Sequence, residues 1–315
     1  MAGRTGDENE RRDGASASSD TTVPGEAQSN GGTAGSKPAA GLYLVATPIG
    51  NIRDITLRAL DVLAGADLVA CEDTRVTAKL LGLLGLKAPL FAYHDHNADR
   101  AGPALLEKLR AGLAVALVSD AGTPLVSDPG FRLVRACVEE GIPVTSLPGP
   151  SAPLTALQLS GLPSDRFLFA GFLPNKSSAR RTVLAELAGV PATLIFFESP
   201  HRLAESLEDM AAVLGGRDAA VARELTKLFE EVRRAPLPTL AAHYAEAGGP
   251  KGEVVVVVGP PGEAEAASAE DVDALLRDAL ADASVRDAAA TVAAATGRPR
   301  REIYARALEL AKERK

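Results

Sequence analysis

Two α/β units in tandem, followed by a small helical extension, are what this sequence predicts, and three observations predict it. Short apolar runs alternate with amphipathic stretches over residues 41–163, the rhythm of strands joined by crossover helices. The rhythm breaks at Gly161-Leu162-Pro163 and restarts over 164–262. Over 268–315 the apolar residues keep helical spacing only.

In the first unit, strand-like runs fall at about 42–46, 67–71, 89–92, 114–118 and 143–147. Helical patterns lie at about 53–64, 74–85, 100–111, 130–140 and 151–160. This alternation predicts a mostly parallel sheet. In the second unit, residues 167–170, 193–197, 219–223 and 253–258 read as strands, with helices at 180–188 and 201–213. Pro260-Pro261-Gly262 and an Ala/Glu stretch form a linker. In the extension, Val272, Leu275, Leu276 and Leu280 space a first helix. Ser284-Val285-Arg286-Asp287 has the form of a capped start for a second, which Gly297 ends. Pro299 suits the first turn of a third, with Ile303, Leu308 and Leu310 as its apolar side.

Composition sets bounds. With 46% apolar residues in 315, both units can bury cores, and the absence of tryptophan leaves Ala and Val to fill them. A net charge of −7 excludes a uniformly basic nucleic-acid coat but leaves room for local patches. Cys71 and Cys137 both sit in apolar segments. They read as reduced core thiols of a cytoplasmic protein. No window approaches the roughly 20 apolar residues of a membrane span. Residues 1–40 are rich in Gly, Ser, Thr and charge, which reads as a disordered tail without a secretory signal.

The motif that says most is Leu117-Val118-Ser119-Asp120-Ala121-Gly122-Thr123-Pro124, where an apolar strand runs straight into an acidic turn of small residues. Val126-Ser127-Asp128-Pro129-Gly130 follows, and Phe131, Val134 and Val138 then space a helix. Thr47-Pro48-Ile49-Gly50-Asn51 and Pro148-Gly149-Pro150-Ser151 end two further strands in the same way. One such loop is ordinary punctuation; three at the carboxyl edge of one sheet predict a shared pocket. No G-x-G-x-x-G after a strand and no G-x-x-x-x-G-K-[ST] loop is present, which argues against NAD or ATP.

Further runs extend the pattern: Ile52-Arg53-Asp54-Ile55-Thr56, Glu72-Asp73-Thr74-Arg75, His94-Asp95-His96-Asn97 and Leu162-Pro163-Ser164-Asp165-Arg166-Phe167. With the three loops, they resemble the ribosomal RNA small subunit methyltransferase I family of the tetrapyrrole methylase superfamily over residues 41–315. The resemblance implies a cofactor cleft between two α/β domains, and S-adenosylmethionine as the cofactor. It implies 2′-O-methylation of a cytidine in the decoding region of 16S ribosomal RNA, within the small subunit. It also implies a cytoplasmic homodimer without a membrane partner. A tetrapyrrole-precursor methyltransferase and a non-catalytic RNA-binding assembly factor are the rival readings.

Under the resemblance, the cofactor-binding residues are Pro48, Ile49, Gly50, Asp120, Ala121, Gly122, Thr123, Pro148 and Ser151, with Gly171, Leu225 and Thr226 from the second domain. By its position alone, Asp120 is a turn cap or a cofactor contact. The Glu72–Arg75 run caps a helix or serves the cleft, with Arg75 on a phosphate. A ribose hydroxyl is a weak nucleophile and benefits from a proton acceptor. His94 and Lys227 are the two candidates for the catalytic role, with the base unresolved between them, and His96 is a substrate candidate. No third and fourth ligand joins the histidines at a useful spacing, so no metal is expected. From Gly297 to Lys315, seven Lys or Arg face three Glu, a balance of +4. Arg300 and Arg301 are accordingly substrate candidates, although a basic solvated helix end has the same composition.

Overall fold

The computed structural model describes residues 37–262, 269–296 and 298–313. The predicted tail, apart from 37–40, the Ala/Glu part of the linker and the helix-ending Gly297 lie outside the described residues.

The first sheet comprises β1 (Gly41–Val45), β2 (Leu68–Cys71), β3 (Leu90–Ala92), β4 (Ala114–Val118) and β5 (Val144–Leu147). Its order is β3-β2-β4-β1-β5, and every pairing is parallel. Helices α1 (Leu57–Gly65), α2 (Thr74–Leu83), α3 (Ala98–Arg110) and α4 (Phe131–Glu139) join the strands. All five β4 residues are buried, as a central parallel strand covered on both faces requires. One face packs Leu42, Ala70 and Leu117 under α3 and α4; the other packs Val45, Val69 and Val118 under α1. The pattern at 53–64 resolves into a 3-10 turn at Ile52–Asp54 and then α1, because extended Thr56 caps the helix by accepting from the Ala59 amide at 3.1 Å.

The second sheet comprises β6 (Phe167–Phe172), β7 (Thr193–Glu198), β8 (Asp218–Arg223), β9 (Glu231–Pro236) and β10 (Val254–Val258), in the order β6-β7-β10-β8-β9. Only β6 and β7 run parallel. Helices α6 (Ser177–Leu187), α7 (Leu203–Leu214) and α8 (Leu237–Ala247) cover one face. The sequence reading omits β9 and α8. The opposite face is covered by α5 (Ala152–Ser160), whose Ala156 and Leu157 pack on Ala220, Ala222, Val255 and Val257. This helix precedes the Gly161 break in the chain, yet its apolar side belongs to the second sheet.

The extension folds as α9 (Ala269–Asp282), α10 (Val285–Thr296) and α11 (Arg300–Glu313) around Val272, Leu276, Val292, Ile303 and Leu310. Ser284 caps α10, accepting from the Asp287 amide at 3.2 Å. Pro299 stands just ahead of α11, its carbonyl accepting the first helical bond from Glu302 at 2.9 Å. Leu308, expected on the apolar side, is exposed, and Ala307 takes the inward place. Among the described residues, no helix is long and apolar enough to cross a membrane.

Candidate active site

Parallel pairing brings the carboxyl ends of β1, β4 and β5 to one rim, where open α/β sheets bind ligands. There Thr47 and Gly122 form an isolated antiparallel bridge, each amide donating to the other's carbonyl at 2.9 and 3.0 Å. The buried Thr47 hydroxyl donates to the Ser119 carbonyl at 3.1 Å, and the Ser119 hydroxyl donates to the Gly122 carbonyl at 3.0 Å. Thr123 ties in the third loop, its hydroxyl donating to the Pro150 carbonyl at 2.9 Å. Gly122 has φ 87°, and a Cβ there would meet Ile49 Cγ2 at 3.3 Å. The three loops are therefore one polar assembly.

The second unit closes the opposite wall. The Asn51 amide donates to Thr226 Oγ1 at 3.0 Å. A Cβ on Gly50 would come within 2.5 Å of Lys227 Cγ and 2.9 Å of the Leu225 carbonyl, so the walls touch because Gly50 lacks one. Leu225 itself is buried against Ile49. Gly171, at a register shift in β6, would place a Cβ 3.4 Å from Ser127 Oγ. Between the walls lies a chamber of about 320 Å³ lined by Ile49, Asp54, Gly149, Pro150, Thr155 and Thr226. Pro148 precedes Gly149, the Ser151 carbonyl at the start of α5 accepts from the Thr155 amide at 2.9 Å without a side-chain cap, and Pro48 and Ala121 flank the Thr47–Gly122 bridge.

A second chamber, of about 440 Å³, gathers Glu72, Asp73, Arg75, His94, His96 and Asp120. The Asp73 amide donates to Asp120 Oδ1 at 3.2 Å, which links this chamber to the loop after β4. Its carboxylates separate by environment. Burial raises the Glu72 carboxyl, and Asp120 and Asp95 push it the same way. Outside that lining, in a neighbouring pocket with Asp95 and Arg132, burial likewise raises Asp128 to about 6, reinforced by Glu72. Asp73 instead falls to about 2, because the Arg75 guanidinium hydrogen-bonds it.

The two catalytic candidates part company. Burial works to lower Lys227, but its hydrogen bonds to Glu224 at 2.8 Å and Glu253 at 2.7 Å outweigh that and raise it. An ammonium held between two carboxylates is a poor proton acceptor. His94 keeps a buried Nδ1 without a hydrogen-bond partner, while its backbone amide donates to Asn97 Oδ1 at 2.9 Å. The His96 ring lies 6.1 Å away, edge-on. Arg300 and Arg301 stand apart in the extension: among the described residues, no hydrogen bond or ion pair ties them to the cleft loops.

Strain concentrates at this seam. Among the described residues, the non-glycine positive φ values are Leu125 at 71°, Ser127 at 63°, Glu224 at 49° and Thr226 at 65°. All four lie on the loops after β4 and β8, as expected where function over-determines the backbone. Asp128, Asp95 and Asn51 were not among the residues singled out for the site. Asp128 reads locally as part of a turn, and only distant neighbours make it acidic-cleft material. These features fit a cationic methyl donor: close-approach glycines leave backbone groups open, and carboxylates line the adjoining chamber. Among the described residues, no cluster of His, Cys, Asp and Glu could hold a metal ion.

Comparison with known proteins decides the family. The model for tetrapyrrole (corrin/porphyrin) methylases matches residues 41–241, and that of the RsmI C-terminal HTH domain, a helix-turn-helix, matches 266–311. A ribosomal RNA small subunit methyltransferase I of Mesorhizobium japonicum is 59% identical over 270 residues, covering 85% of this chain and 92% of that one. The chain belongs to the ribosomal RNA small subunit methyltransferase I family of tetrapyrrole methylases. A family relative from Micromonospora olivasterospora is 50% identical over 279 residues, covering 87% of this chain and 88% of its own. A solved uroporphyrin-III-C-methyltransferase from Thermus thermophilus matches with a TM-score of 0.51 at 25% identity, over 70% of this chain and 94% of that one. As a member of this family, the chain is an S-adenosylmethionine-dependent methyltransferase.

Proposed function

We propose that this methyltransferase acts on ribosomal RNA, methylating the 2′-oxygen of a cytidine in the decoding region of 16S RNA. The substrate is read from the relatives' shared name and near-complete coverage, and the sugar position from the motif resemblance above. The observation that carries the catalytic reading is the two-walled cleft, in which Gly50 touches the Leu225–Lys227 loop beside the chamber holding His94.

S-adenosylmethionine, when bound, supplies an activated methyl group on a sulfonium that already has a good leaving group. What remains for the chain is alignment, a large source of rate, and relief of the hydroxyl proton. The loops at Pro48–Gly50, Asp120–Thr123 and Pro148–Ser151 offer backbone donors and acceptors for the donor's adenosine and methionine parts, with Gly171, Leu225 and Thr226 facing them. Asp120 and Glu72 supply negative charge beside them. His94, whose side chain lines the second chamber, receives the ribose proton; Lys227 stays cationic and holds the loop between Glu224 and Glu253. Arg75 projects almost wholly into solvent from its Asp73 anchor, placed to meet an RNA phosphate, with His96 beside the acceptor.

A ribosomal substrate supports a cytoplasmic location. Leu228 and Phe229, exposed at 89% and 67% on the loop after β8, support a homodimer, since such apolar patches mark protein contacts. The test is incubation with labelled donor and small subunits lacking the modification, without added metal beyond what the RNA fold needs. The expected product is one cytidine methylated on its sugar, giving a nuclease- and alkali-resistant linkage. A methyl group on the cytosine ring, transfer only to a tetrapyrrole, or RNA binding without any transfer sinks this reading.

A further inference from the structure

The arginines around α11 divide into two kinds. Arg306 forks onto Asp273, with Nε at 2.7 Å from Oδ1, and also meets Glu309 at 2.6 Å; it clamps α11 to α9. Arg298, Arg300 and Arg301 form no ion pair with any described residue, which leaves the amino-terminal end of the helix with free positive charge. Flanking the buried Ile303, Ala307 and Leu310, residues Arg300, Tyr304 and Leu308 follow one another at intervals of four and share a face. Tyr304 is 41% and Leu308 40% exposed. Tyr304 makes no hydrogen bond or ring contact with any described residue. Neither side chain belongs to the three-helix core, and each keeps a face open to solvent.

A helix-turn-helix on DNA lays its second helix in the wide major groove. Duplex RNA closes that route, because the A-form major groove is too deep and narrow for side chains to read. Sequence-dependent RNA contacts go instead to single-stranded segments, whose bases stack on aromatic rings. We propose that this face of α11 binds a single-stranded segment of RNA, with Tyr304 stacked on an unpaired base and Arg300 and Arg301 on the flanking phosphates. The proposal rests on the RNA substrate argued above and names the part of it that the extension takes. Leu308 lengthens the apolar strip by one turn, and Arg306 stays with Asp273.

The experiment uses the full-length chain and a fluorescein-labelled single-stranded RNA of about ten nucleotides, free or annealed to its complement. The single strand should bind more tightly than the duplex. Tyr304→Ala should weaken single-strand binding roughly tenfold. Tyr304→Phe should stay within about twofold of the unmodified chain, because the ring does the stacking. Tyr304→Leu, apolar but without a π-face, should side with alanine. Arg300→Gln should lower the slope of affinity against salt by about one phosphate contact. Circular dichroism confirms folding, which an exposed helical position should not disturb. Preference for the duplex, or unchanged affinity in Tyr304→Ala, overturns the proposal, and the latter is also what a protein-binding face would give. Methyl transfer to small subunits is followed in the same preparations. Its absence from the unmodified chain overturns the functional reading instead, while the binding ratios still decide the surface.

Discussion

Gly50 is a residue on which the cleft turns, because the two walls meet there with no room for a Cβ. In Gly50→Ala the new Cβ would press on Lys227 Cγ at 2.5 Å and on Thr226 Oγ1 at 2.7 Å. Accommodating one extra methyl should cost about 1–3 kcal/mol, and the displaced loop should weaken donor binding. Thermal melting and calorimetry check both effects; an unaltered donor affinity would separate this contact from the site. Asp128 gives a pH test. Its carboxyl stands at about 6 in the folded chain against the usual 3.8, so the folded state holds a proton that the unfolded state releases. The stability this group contributes is present below about pH 4 and is lost as pH rises through 6. Asp128→Asn should therefore match the original chain near pH 4. Near pH 7 it should exceed it by about 1–2 kcal/mol, after allowance for solvent screening. Urea unfolding at the two pH values measures the difference.

At the scale of elements, α6 and α7 are joined by a buried ion pair. Arg180 donates to Asp209 at 2.7 Å, and their side chains are 1% and 4% exposed. Asp209→Ala leaves a buried guanidinium without its main counter-charge and should cost about 3–5 kcal/mol. Arg181→Ala removes the half-exposed partner of the same carboxylate and should cost under about 1 kcal/mol. Equal losses in denaturant unfolding would contradict the ranking. The legible elements were those with dense apolar runs, such as β4 and β10. β9 escaped notice because Glu-Val-Arg-Arg-Ala-Pro is an edge strand with charge along it and a terminal proline. The signal for α8 was present: Leu237, Leu240 and Tyr244 are buried at helical spacing, with Pro238 in the first turn. In the candidate site, the glycine and proline loops were readable because tight turns constrain residue type locally. The Asp128–Glu72 pairing was not, since it exists only once β2 and β4 lie side by side.

Across the whole molecule, the three-helix extension has its own apolar core. Deleting residues 268–315 should leave donor binding intact in calorimetry. It should weaken RNA binding and flatten its dependence on salt, because the free arginines of α11 go with it. A truncated chain that binds RNA with the original salt slope would move the contact elsewhere. The remaining body is a different matter, because α5 lies before the Gly161 break yet packs beneath the second sheet. A chain cut at Gly161 would strand that helix on the wrong fragment. Each half would expose an apolar face, α5 on one and the underside of β8 and β10 on the other. Two such fragments, expressed together, should find one another and rebuild the enzyme. Calorimetry of the uncut body should correspondingly show both sheets melting in one cooperative transition, with the donor cleft lost at the same temperature.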